Sequence, residues 1–355
     1  MNTRNDNNSF SLVRLFLKAR TVILLIFLVV LFSILSPAFL TVSSLITVVK
    51  HAALYSLIAI GMTFVIITAG IDLSVGSVVG FSGMVAGWLI TYGIRIAPMK
   101  ATIFFNIPAI VIIVLVIGSL IGLLNGFIIY TFSVPPFITT LGSELIFRGF
   151  AQLISGGATF PNLSGKPEFH NTGFQFLGSG RIAGLPTQIW IAIVFSLIAI
   201  YILKKTCLGL HIYSVGGNMK AAQLSGVNVR RILLFVYAFS GLCAAMAGLI
   251  TTSQLVAAHP ATGEMWETNA IAAAVLGGTS MAGGVGTVGG SIIGALAIGV
   301  LTDGMAMVGI SEFWQKVIKG AVIILAVIFD TWQSRMKSKL AVRDGMAASK
   351  ASRES

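Results

Sequence analysis

The stretch KKTCLGLHIYSVGGNMKAAQLSGVNVRR, Lys204–Arg231, places five cations (Lys204, Lys205, Lys220, Arg230, Arg231) and no carboxylate between long apolar runs. Chains that cross a membrane repeatedly keep Lys and Arg in their short cytoplasmic loops, so the charge puts this segment inside the cell. It is too long for a turn. Residues Asn218–Gly226 read as a short helix, with Gly216-Gly217 before it and Gly226 after it as punctuation. A small cytoplasmic helix held between spans is a surface that a soluble motor can grip.

Composition agrees with that reading. Hydrophobic residues make up 56% of the 355 and charged residues 10%, against roughly 25% charged in a soluble domain. The expected fold class is all-α: a polytopic transmembrane helical bundle with Gly-rich broken helices. Apolar runs at 21–40, 45–69, 73–92, 105–131, 138–155, 187–204, 232–252, 268–281, 286–305 and 313–333 predict about ten spans, with both termini cytoplasmic. Two of the runs are short, so eight crossings with re-entrant pieces remains an alternative. Ten crossings place 205–231 inside and 156–186 and 253–267 outside. Arg95 and Lys100 then lie on the outer face, against the charge rule.

The domain organisation follows: a cytoplasmic tail 1–20, a membrane domain 21–333 and a basic cytoplasmic tail 334–355. The cationic Arg14, Lys18 and Arg20 ahead of Thr21–Leu35 resemble a secretory signal, but Ser33–Pro37 makes a poor cleavage site and an uncleaved first span is expected. The net charge of +12 sits mainly in the tails and the 205–231 loop, where membrane topology puts it, so no nucleic-acid partner is implied. The bilayer is the partner that composition requires. Cys207 and Cys243 read as free thiols. Segment 156–186, rich in Gly, Pro and Asn, is expected to hold loop or short helices; it is either a connector or a docking surface for a delivery protein.

Three motifs lie in or beside the spans. In GMTFVIITAGIDLSVGS (61–77) two apolar runs meet at a polar break. Asp72 is read as the N-cap of a helix starting at Leu73, with Ser74, Gly76 and Ser77 as further helix-break or gating candidates. Glu144 and Arg148, four residues apart, share a helix face and are read as an intramembrane pair that neutralises itself. The run LGGTSMAGGVGT (276–287) lacks the Lys-Ser/Thr ending of a phosphate loop; Gly277, Gly278, Gly283 and Gly284 read as a flexible helix break. Residues 76–80 and 286–290 echo each other faintly, in a class of protein where internal repeats are common. His51, His170, His211 and His259 are scattered, so neither a metal site nor a cofactor is expected. No nucleophile–base arrangement suggests catalysis.

GMTFVIITAGIDLSVGS, GLLNGFIIYTFSVPPFITTLGSELIFRG, GLHIYSVGGNMKAAQLSGVNV and AAAVLGGTSMAGGVGTVGGSIIGAL followed by FWQKVIKGAVIILAV resemble, in order from Leu45 to Asp330, the ribose/galactose/xylose class of bacterial ABC importer permeases. The resemblance implies a multi-pass subunit of the bacterial inner membrane without catalysis of its own. It would work with a second permease copy (homo- or heterodimer), a cytoplasmic ATP-binding subunit and a periplasmic substrate-binding protein. It also implies that Gly216, Gly217, Asn218, Ala221, Ala222, Leu224, Ser225 and Gly226 form the ATPase-coupling segment, with Ala221, Ala222 and Leu224 as an apolar knob. Met219-Lys220 stands where relatives often carry an acid. The solute is expected to be a simple sugar. Alternatives are a polyol, nucleoside or signalling molecule carried by the same kind of importer, or a self-sufficient secondary transporter relying on Asp72, Glu144, Asp303 and Glu312.

Overall fold

The computed structural model describes residues 21–96, 101–328 and 331; both basic tails and Lys100 lie outside them. The chain forms α1 (Thr21–Leu35), then α2 (Val42–Ile67), α3 (Val75–Thr91), α4 (Ile107–Phe132) and α5 (Pro136–Leu153). After a long connection come α6 (Phe176–Ser179), α7 (Thr187–Lys205), α8 (Cys207–Gly217), α9 (Met219–Leu224) and α10 (Val229–Leu255). The last helices are α11 (Trp266–Leu276), α12 (Val288–Met307) and α13 (312–328). Strands are confined to two antiparallel hairpins, β1 (Ile94–Ile96) with β2 (Ala101–Ile103) and β3 (Arg181–Ile182) with β4 (Leu185–Pro186).

Local sequence explains many of the helix boundaries. At a helix start the side-chain oxygens of Thr41, Asn106, Thr206, Asn218, Asn228 and Thr287 each accept the backbone N–H of the residue three positions on, satisfying a donor with no partner inside the helix. Ser133 takes a left-handed conformation after α4, and Pro135-Pro136 then opens α5, because proline has no amide to donate and suits the first helical turn.

Among the described residues, five helices (α2, α4, α7, α10 and α12) are long and apolar enough to cross a membrane. They divide into two kinds. The apolar windows of α2 and α10 are 67% and 72% buried, whereas those of α4 and α7 are 28% buried. A helix apolar on all sides but packed on one must face lipid with the rest, so α2 and α10 form the centre and α4 and α7 the periphery.

Two expectations need correction. The run 268–281 is not a continuous span: α11 has 11 residues, about 16 Å of helix, and Gly277 and Gly278 turn the chain into a loop. Segment 205–231 holds two helices rather than one, because Thr206 Oγ1 accepts the Gly209 amide and starts α8 immediately after α7. Segment 156–186 is, as expected, loop and short helices with one small hairpin.

The connections gather in two places. At one end, the α2–α3 break, the α4–α5 turn, α9 and the start of α10 share one cavity, and the loop before α12 hydrogen-bonds to the end of α2. At the other, Phe160 bridges Ala258, the Leu163 amide bonds to Val256 and Asn171 donates to Ile90 at the end of α3.

The most extensive helix contact is α4 with α10. Gly118, Gly122 and Gly126, each four residues apart, bring α4 so close that an added methyl would meet α10 backbone at Gly241, Tyr237 and Leu233. Such close approach supplies the dispersion contact that stands in for hydrophobic drive within lipid. Gly122→Val should therefore lower the detergent-solubilised protein's stability by about 1–3 kcal/mol through overpacking. Gly142→Ala, at a position with nothing within 4 Å, should leave thermal unfolding unchanged in the same assay.

Candidate functional site

Helix α2 ends because Ala69 is left-handed (φ 60°), while Thr68 Oγ1 and the Gly70 amide both bond to the Val65 carbonyl. The chain then crosses a short polar segment before α3. Asp72 is 1% exposed, but it is not the N-cap expected from sequence: α3 begins at Val75 and Ser74 is its N-cap residue. The carboxylate folds back instead. Oδ1 accepts from the Ser74 amide at 3.1 Å and from Ser74 Oγ at 2.6 Å, and Oδ2 accepts from Ser240 Oγ of α10 at 2.8 Å. Asn125 Nδ2 of α4 donates to Ser74 Oγ at 3.0 Å, and Thr140 of α5 donates to the Ile71 carbonyl at 3.1 Å. One break thus ties together α4, α5 and α10. A buried polar group costs stability unless hydrogen-bonded, and these donors are what permit an acid here.

The Gly-rich loop before α12 packs under the same break. Its Gly284 amide donates to the Ile67 carbonyl at 2.8 Å, the last residue of α2. Gly278, Gly283 and Gly284 have φ of +92°, +83° and +71°, a region open to glycine without steric penalty. Helix α8 lies against both. A methyl on Gly216 would collide with the Ile67 carbonyl and crowd the Gly284 amide. Tyr213 donates its hydroxyl to the Gly286 carbonyl at 2.7 Å; burial raises its pKa, which keeps the donating proton in place. Below, Thr63 Oγ1 lies 2.6 Å from Ser291 Oγ, linking α2 to α12. Gly216, Gly283 and Gly284, which the sequence assigned to separate roles, therefore meet in one backbone joint with the end of α2.

Helix α9 hangs from this joint. Asn218 Oδ1 caps it by accepting the Ala221 amide at 2.9 Å, and Gly226 (φ +87°) ends it. The apolar knob expected from sequence needs correction at Ala222, which is 6% exposed and packs inward with Val215, Val229 and Leu233. Leu224 at 84% and Met219 at 44% are the apolar groups presented outward, with Ala221 also exposed. Gly217 is the last residue of α8, and Ser225 is exposed at the C-cap of α9. Between α9, the α4–α5 turn and α10 opens a cavity of about 940 Å³ lined in part by Gly70, Phe127, Pro135, Met219, Arg230 and Tyr237.

Glu144 and Arg148 do not pair. Arg148 Nη1 donates instead to the Pro260 and Thr262 carbonyls, both at 2.8 Å, pinning the α10–α11 connection to α5. Gly80 makes room for the guanidinium, and Gly76 for Glu267 and the Gly263 carbonyl. The i, i+4 spacing was a real signal, but two carbonyls in reach outcompete a neighbouring carboxylate left half-exposed. Gly76 and Ser77 belong to the first turn of α3, Ser77 donating to the Ser74 carbonyl at 2.8 Å. Gly277 seats against Gly290 where α11 and α12 approach.

Sequence reading passed over Asn125, Ser240 and Tyr213, which complete the two networks. Nothing local marks them, since each is one polar residue among several in a largely apolar helix. The four-residue glycine spacing of α4 was visible and went unused.

A multi-pass helical chain whose broken helices converge on exposed terminal helices has the build of a transport permease. The chain belongs to the permease family described as "Branched-chain amino acid transport system / permease component", which matches residues 44–327. It is 39% identical to the ribose import permease protein RbsC of Haemophilus influenzae over 94% of this chain and 99% of that one. It is likewise 39% identical to RbsC of Escherichia coli K12 (88% and 94%) and 35% identical to that organism's xylose transport system permease protein XylH (84% and 87%). No solved structure matches the chain.

Substitutions at two positions separate the networks. Asp72→Asn keeps the shape but replaces one acceptor with a donor, while Asp72→Leu strands the Ser74 and Ser240 hydroxyls; we expect the Leu variant to lose about 1–3 kcal/mol per stranded group, read as thermal unfolding in detergent, and the Asn variant to lose less. Gly216→Ala should abolish solute uptake in cells while the protein still reaches the membrane, because the joint cannot close around an added methyl.

Proposed function

We propose that this chain is the membrane-spanning permease subunit of an ATP-driven ABC importer for a simple sugar, delivered by a periplasmic binding protein and driven by a separate cytoplasmic ATPase. The observation that carries the reading is the joint of α8, the end of α2 and the loop before α12. A push on the exposed α9 reaches the Asp72 break within a few backbone contacts. The family description names branched-chain amino acids, but near full-length similarity to ribose and xylose permeases favours a sugar.

In this reading the chain crosses the inner membrane ten times. Both termini and 205–231 are cytoplasmic, and 156–186 is external. The alternation of loops between two ends supports it: Lys204 and Lys205 close α7 and Arg230 and Arg231 open α10, as the positive-inside rule requires of the cytoplasmic end. The short α11 enters without crossing alone, and the Gly-rich loop completes the passage. The apolar outer faces of α4, α5 and α7 meet lipid or a second permease copy. ATP binding closes the ATPase pair, draws the coupling helices together and biases the permease outward-facing; hydrolysis and product release restore the inward-facing state. Leu224 and Met219 are the contacts we assign to the ATPase groove, with Asn218 and Gly226 setting the ends of the helix that carries them.

Leu224→Asp and Met219→Asp test the assignment, since both residues are exposed and the fold should tolerate the change. A soluble ATPase should co-purify with the tagged wild-type chain from mild detergent and be lost from both variants at unchanged melting temperature. Purified chain that moves solute down an ion gradient with no ATPase present would replace this reading with a secondary transporter.

A further inference from the structure

At the end of the bundle away from α9, a cavity of about 260 Å³ opens between α2, α11 and α13. It is walled by Tyr55, Glu264, Trp266, Asn269, Gln315 and Lys319, among others. The joint and the Arg148 contacts do not use it.

Its chemistry is specific. Asn269 is 8% exposed, yet among the described residues its side chain makes no hydrogen bond, although it lines the cavity. Its amide atoms are not sealed off from the cavity; they border it, where an occupant can meet them. Trp266 is held edge-on to Tyr55, with ring centroids 5.9 Å apart at 73°, and supplies an apolar plane beside the amide. Gln315 donates its amide to the Ile310 carbonyl at 2.9 Å, leaving its own carbonyl as an acceptor. The charges balance. Glu312 and Lys316 pair at 3.5 Å at the exposed rim, and Glu264 and Lys319 offer one charge of each sign. Behind them, Asp303 is gripped by His51 Nδ1 at 2.8 Å. A lining with no net charge offers little to an anion such as a phosphate or an acidic lipid headgroup. Donors, acceptors and an aromatic plane together suit an uncharged ring bearing several hydroxyls. The volume lies below the roughly 300–1,000 Å³ of pockets for drug-sized ligands, which limits the occupant to a single small ring.

We propose that this cavity is a binding site for one neutral polyhydroxylated ring, a monosaccharide, with Asn269 and Lys319 as its specificity-determining contacts and Trp266 as its stacking surface. The site lies beside the 256–265 connection, on the side where our topology places the delivery protein, and it serves as a loading site. The solute class rests on the function proposed above; the location does not.

The test uses the full chain in lipid nanodiscs, titrated with radiolabelled ribose and xylose. Ribose 5-phosphate and vesicles of phosphatidylglycerol serve as anionic comparators. Asn269→Ala and Lys319→Gln should each weaken sugar binding about tenfold without shifting the melting temperature. Fluorescence quenching by sugar should vanish in Trp266→Phe. Should Asn269→Ala fail to fold, Lys319→Gln and Trp266→Phe carry the test. Sugar binding unaltered in the folded variants, or tighter binding of the phosphate or the anionic lipid, overturns the proposal. ATP-driven sugar uptake by the assembly with its ATPase and binding protein is measured in parallel. Uptake with variant-insensitive binding sinks the loading site alone, whereas absence of uptake and binding for every sugar sinks the functional reading as well.

Discussion

A carboxyl group at the end of the central helix, shut away from water, is the constraint on which the arrangement depends. Asp72 cannot be buried alone, so the chain supplies the Ser74 amide and the hydroxyls of Ser74 and Ser240. Ser74 in turn receives Asn125. Ser74 is local, whereas Ser240 and Asn125 come from distant parts of the sequence. The break between α2 and α3 can therefore exist only with α4 and α10 in place, and those two helices make the most extensive contact in the molecule. Irregular backbone inside a membrane protein is tolerated where protein covers it, and here the acid specifies which protein does so.

Close backbone approach is the second principle of the fold. Glycines open the seam between α4 and α10, the contact of Gly277 with Gly290 between α11 and α12, and the joint of Gly216 with Ile67 and Gly284. The three seams do different work. The first two hold helices at fixed separation. The third, on which the proposed coupling rests, joins α8 to α2 and the loop before α12 largely through backbone. Packed interiors switch between discrete arrangements instead of deforming smoothly, so displacement of α8 must be answered by the α2–α3 break or by the Gly-rich loop.

The two ends of the bundle differ in kind. The end bearing α8 and α9 carries the cluster Lys204, Lys205, Lys220, Arg230 and Arg231, the glycine joint and an open cavity with apolar and cationic walls. The opposite end is tied by carbonyl contacts from Arg148 and by the pairing of 160–163 with 256–258. It also holds a smaller, polar cavity of balanced charge. The coupling contact proposed at the first end and the cavity proposed for solute at the second are distinct places, the first at Ile67 at the end of α2 and the second beside Tyr55 in its middle.

Much of this was legible in the residues themselves. Hydropathy located the helices, because a stretch of some twenty apolar residues has few stable alternatives to spanning lipid. The Lys and Arg distribution identified the end bearing Lys204–Arg231, and Asn218 and Gly226 marked the bounds of α9 through local capping chemistry. Three of the errors share one cause. Asp72 was assigned to its own helix, Arg148 to its neighbour Glu144 and Ala222 to the surface because sequence shows only nearby partners. The structure offered Ser240 from 168 residues away and the Pro260 carbonyl from 112, and it turned Ala222 inward. Sequence alone determined that the chain is a bundle of apolar helices, most of the places where they break and the loop in which five cations cluster, since those depend on local propensity and transfer into lipid. Which breaks meet, which polar groups complete one another and which face of α9 is presented were decided only by tertiary structure, because hydrogen bonds and backbone contacts form between whatever the folded helices bring within reach.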